Sequence, residues 1–123
     1  MKKVSLMLGI LVASSLAAWA DEHSHMQPEG ASVLQGEVID LMCYVGHDAM
    51  GKKHADCAQS CIKKGGPAAI LSSDGKLYVA TIAEHGSVAD TLGKLGGQKV
   101  KVTGKIASKG GSNFVEIAKV EKL

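Results

Sequence analysis

The residues of this chain best suited to chemistry are Cys43, His47, His54, Cys57 and Cys61, which follow Asp40 in one short stretch. All three cysteines and two of the five histidines fall there, while His23, His25 and His85 lie outside it. Thiolates and imidazoles together are donors for soft and borderline transition metals, and thiols can also pair or exchange with disulfides. Cys57 and Cys61 are four residues apart. On a helix such residues share a face, with β-carbons about 5–6 Å apart. A disulfide wants its β-carbons about 3.5–4.5 Å apart, so bonding these two would strain or end the helix. A metal about 2.3 Å from each sulfur needs the sulfurs roughly 3.8 Å apart, which side-chain rotation can supply. The pair suits half of a metal site better than a mutual disulfide.

Cys43 and His47 can supply the other half, giving a Cys3His set of the kind that holds zinc and also suits copper(I). His54 competes for the fourth position. Cys57 falls at the first turn of its helix, where the dipole favours a thiolate. The C-x-x-C half-sites of a standard zinc finger are missing. Two other bonding patterns stay open. Cys43 could pair with Cys57 or Cys61 in a staple worth about 2–4 kcal/mol, leaving one thiol idle. The thiols could instead be redox-active. Asp40 could orient a ligating histidine, although an aspartate ending a strand more often caps a turn.

The odd cysteine number matters because the chain starts like an exported protein, and a domain held only by disulfides should have an even number. Met1-Lys2-Lys3 is a positive segment, Val4 to Ala18 is apolar, and Ala18-Trp19-Ala20 is a small-x-small cleavage site. The apolar run is short for a bilayer span of roughly 20 residues. Residues 1–20 are therefore expected to leave as a signal peptide, giving a periplasmic or secreted protein without a membrane span. Cleavage after Ala20 would start the mature chain Asp21-Glu22-His23. Its amine, two amide nitrogens and the His23 imidazole form a weak, separate square-planar site for copper(II) or nickel(II).

Losing Lys2 and Lys3 leaves 12 lysines against 12 acidic residues, with no arginine, from Asp21 onward. The remaining aromatics are Tyr44, Tyr78 and Phe114. Neither a basic surface nor stacking aromatics are present, so nucleic acid is not an expected partner. There is no haem-attachment C-x-x-C-H, P-loop or nucleophile-elbow serine, and an enzymatic role is not expected.

The elements that must position the cluster follow from patterning. Residues 21–32 are polar and aperiodic and read as a flexible leader. Residues 33–123 then form one domain. Val33 to Ile39 has strand character, and Leu41 to Lys53 reads as irregular. Asp56 and Gln59 suggest a capping box opening a helix that Gly65-Gly66-Pro67 stops. Ala68 to Leu71 and Lys76 to Ile82 read as strands joined by a Ser73-Asp74-Gly75 turn. A helix is expected over His85 to Leu95, then strands through Val100, Val102 and Ile106 and from Phe114 to Val120. The pattern predicts a mainly β fold with short helices, a five-stranded OB-like Greek-key barrel carrying a cysteine-bearing helical insertion at about 41–66.

Gly36-x-x-x-Asp40-x-x-Cys43-x-x-x-His47, Asp56-Cys57-x-x-x-Cys61, Gly75-Lys-Leu-Tyr78 and Gly97-Gln-Lys-Val-Lys-Val-Thr-Gly104 together resemble small exported bacterial OB-like domains. The resemblance covers roughly Val33 to Leu123. It implies a barrel and a cysteine module but no reaction. The reading that results is an exported metal-binding protein, copper ahead of zinc, for buffering, delivery or sensing. Cys43, His47, Cys57 and Cys61 would be its ligands. The alternatives are a disulfide-stapled module for a protein partner in the cell envelope, or a thiol-based accessory in redox chemistry or cofactor maturation.

Overall fold

Alternating apolar residues and one short apolar run build five strands, and their pairing closes a barrel. The computed structural model describes residues 30–123; the expected signal peptide, most of the leader and His23 lie outside the described residues. The strands β1 (Ser32–Asp40), β2 (Ala68–Ser72), β3 (Leu77–Ile82), β4 (Lys99–Lys109) and β5 (Ser112–Lys122) close in the order β1-β2-β3-β5-β4. β3 and β5 run parallel, and the other neighbours run antiparallel. This is the expected mainly β, OB-like barrel with short helices.

β1 serves two neighbours. Ser32 to Glu37 pairs with β4, and Gly36 to Asp40 pairs with β2. Gly36 belongs to both ladders, opposite Ser72 on one side and Val100 on the other. A β-carbon at Gly36 would press on the Leu71 carbonyl and lie 2.7 Å from Ile70 Cγ2. The missing side chain lets the strands approach where β1 passes from one partner to the next.

Inward-facing residues alternate along the strands, as a barrel requires. Leu34 and Val38, Val100 and Val102, and Val115 and Ile117 meet in the core with Ile70. Two helical residues complete it: Leu92 from α3 (Val88–Leu92) and Ile62 from α2 (Ala55–Lys63). The β4–β5 hairpin turns on Gly110 and Gly111, both at positive φ, as a tight two-residue turn demands. Gly75, at φ +80°, makes the expected turn between β2 and β3. Among the described residues, no helix is long and apolar enough to cross a membrane.

The connection from β1 to β2 holds α1 (Leu41–His47), a single 3-10 turn (Lys52–His54) and α2. Here the structure corrects three sequence expectations. Leu41 to His47 is helical rather than irregular, because Asp40 caps it: its carboxylate accepts a 3.0 Å hydrogen bond from the Cys43 amide. The cap position of α2 is His54, not Asp56. Asp56 falls in the first turn, where its charge faces the positive helix end. Gln59 closes no capping box; its amide donates to the Gly96 carbonyl at 3.2 Å. The helix expected over His85 to Leu95 shortens to α3, opened by the Ser87 side chain accepting from the Asp90 amide.

The buried face of α2, Ala55, Ala58 and Ile62, rests partly on Gly96 and Gly97. Gly97 sits at φ +73°, and a β-carbon there would lie 2.7 Å from Ala55 Cβ. Gly97→Ala should therefore push α2 off the barrel and cost about 1–3 kcal/mol. Urea unfolding with an unchanged slope checks this, and an unaltered midpoint would show that the close approach does not matter.

Candidate metal centre

α1 and α2 bring together the three cysteines. Cys43 lies in α1, held close behind the Asp40 cap. Cys57 and Cys61 lie one turn apart on α2, as their spacing predicted. The three Sγ atoms all lie within 4.8 Å of one another, and Cys43 Sγ and Cys57 Sγ are 3.9 Å apart. Cys57 is exposed, while Cys43 and Cys61 are half-buried. All three are free, so the disulfide staple considered from the sequence is not formed.

The histidines stand beside this group rather than within it. His47 is the last residue of α1 and is exposed, and His54 caps α2 and is half-buried. Their rings meet edge to face with centroids 6.2 Å apart. Neither is among the side chains whose donor atoms converge within 4.8 Å, a set made, among the described residues, of the three cysteines. His54 also lines a narrow crevice with Glu37, Met50 and Gly51.

Asp40 is the residue whose part at the site the sequence left between two roles. It is 1% exposed and pairs with Ala68 at the end of the β1–β2 ladder. Oδ2 caps α1, whereas Oδ1 is buried and has no hydrogen-bond partner. A β-carbon on Gly66 would lie 3.2 Å from that oxygen and 2.8 Å from the Cys61 carbonyl. The glycine lets the segment after α2 fold tightly against the carboxylate.

The Asp40 carboxyl and burial act together on the neighbouring thiols. A hydrogen bond to Asp40, then burial and contact with Cys57, push the Cys43 thiol up to about 12 from an ordinary 9.0. Cys61 is also raised, by burial first and then by the charge of Asp40 and by Cys57. Both are therefore protonated thiols at neutral pH in the metal-free protein. Between pH 9 and about 12 the folded state keeps a proton on Cys43 that the unfolded chain has lost. Stability that is full below pH 9 should fall as pH rises through that window. Cys43→Ser should flatten the alkaline decline in thermal melts; an unchanged decline would remove Cys43 as its source.

No protein-family model matches the chain, and no similar protein is found among the curated ones. The chemistry of the site is accordingly argued from its own geometry.

Proposed function

We propose that Cys43, Cys57 and Cys61 bind one soft or borderline transition metal, copper(I) ahead of zinc(II), in a protein exported from the cytoplasm. The spacing of the sulfurs carries this reading. Three sulfurs about 2.3 Å from one metal stand roughly 4.0 Å apart in a plane and roughly 3.8 Å apart in a tetrahedron. The 3.9 Å between Cys43 and Cys57 falls in that interval, and the whole triad lies within 4.8 Å. Small rotations of the side chains complete the set.

Copper(I) is placed first because, among the described residues, three thiols converge without a fourth side chain, whereas structural zinc takes four ligands. Where the metal takes a fourth donor, His47 supplies it, with His54 as competitor. Met42, Val45 and Met50 are exposed in the same insertion. Exposed apolar side chains in the segment that carries the thiols support delivery to a protein partner in the cell envelope, alongside buffering or sensing. The His23 site for copper(II) or nickel(II) is a separate proposal that depends on cleavage after Ala20.

Metal analysis and thiol titration test the reading. The expected result is one metal per chain and three thiols titrated in denaturant without reductant. One free thiol and no metal would overturn it in favour of a staple. Loading at pH 7 should also release at least two protons per metal, from Cys43 and Cys61, measured in weakly buffered solution. Loading without proton release would exclude these thiols as ligands.

A further inference from the structure

The same three thiols differ in access and in which neighbour each can reach. Cys57 is exposed and offers its sulfur to a macromolecule, while Cys43 and Cys61 are half-buried. Cys57 and Cys61 are both inside α2, at a spacing that holds their β-carbons about 5–6 Å apart, beyond disulfide reach. Cys43 comes from a different helix, and its sulfur already lies 3.9 Å from that of Cys57. A displacement of about 2 Å brings the two to bonding distance near 2.05 Å.

We infer that the triad is also a thiol–disulfide exchange site, with Cys57 as the attacking sulfur, Cys43 as the resolving sulfur and an exposed protein disulfide as substrate. Cys57 thiolate attacks one sulfur of the partner's disulfide, forming a mixed disulfide and releasing the other sulfur as a thiolate. Cys43 gives its proton to the released partner sulfur and, as a thiolate, attacks the Cys57 sulfur of the mixed disulfide, and the second partner thiolate leaves. The chain loses two thiol protons to the two released sulfurs. It is oxidised by two electrons, to a Cys43–Cys57 disulfide, and the partner is reduced by two. Cys61 remains a free thiol. Exchange needs no metal. If the proposed metal site holds, the reaction removes two of its three donors and expels the ion.

A chromogenic aromatic disulfide, added at one equivalent to the reduced, metal-free protein, serves as probe. Two aromatic thiolates should be released per chain, and peptide mapping should find Cys43 linked to Cys57. Cys43→Ala should release only one and retain the aromatic group on Cys57. Cys61→Ser should still release two. Cys57→Ser should slow the first release at least about tenfold, because the remaining thiols are half-buried. A single release from the unaltered chain, or a linkage through Cys61, would overturn the assignment. Metal uptake is measured separately on the reduced protein, so two-thiolate release without metal binding would sink the metal reading alone.

Discussion

Cys61→Ser should lower metal affinity on the order of a thousandfold, because a zinc-type site draws about 10–16 kcal/mol from all of its ligands and one of three thiolates is lost. A serine hydroxyl stays protonated at neutral pH and is a poor donor to a soft ion. The substitution spares the fold, since the face of α2 that meets the barrel is Ala55, Ala58 and Ile62. Chemical denaturation of the metal-free variant should therefore stay within about 1 kcal/mol of the parent. Cys57→Ser should match the loss of affinity. His47→Ala should cost only about tenfold, as expected for a residue beside the converging set. Competition with a chelating indicator measures all three. Full affinity in Cys61→Ser would exclude the proposed ligand set.

Gly36→Val should be the most damaging change in the barrel. Its side chain would enter the space held by the Leu71 carbonyl and Ile70 Cγ2, at one of the two residues where β1 pairs with both β2 and β4. The β-carbon itself meets the Leu71 backbone, which no rotamer avoids, so a cost of about 3 kcal/mol or more is expected. For a domain of this size that lowers Tm by about 12–20 °C. A melt within a few degrees of the parent would show that the two ladders can part without penalty.

The barrel was legible because β4 and β5 alternate, as in Val100 and Val102 or Val115 and Ile117, β2 is a short apolar run, and the turns carry glycine where φ is positive. α1 was not legible. It is seven residues long, contains Gly46 and buries no residue, so it leaves no apolar period to detect. Its one signal is Asp40, which ends β1 as its position suggests, and whose carboxylate caps a helix rather than a turn. The Cys57/Cys61 half of the site could be read from spacing, since both belong to one helix. The approach of Cys43 could not, because it depends on how α1 and α2 lean together across their connection. The sequence also gave no hint that Asp40 would be buried with one oxygen unpartnered, a property of packing rather than of pattern.

The register of β1 on β2 has one further consequence. Asp40 pairs directly with Ala68, so the segment bearing the thiols leaves and re-enters the sheet at facing positions. The ladder thus meets the entropic cost of closing that loop before any metal arrives. Fraying of α1 or α2 would let the sulfurs part but not disperse. Their local concentration stays set by a tether that the barrel anchors at both ends. An ion given up during such an opening meets the same donors again, and hand-over to a partner becomes a contest between recapture and transfer, with the barrel intact throughout.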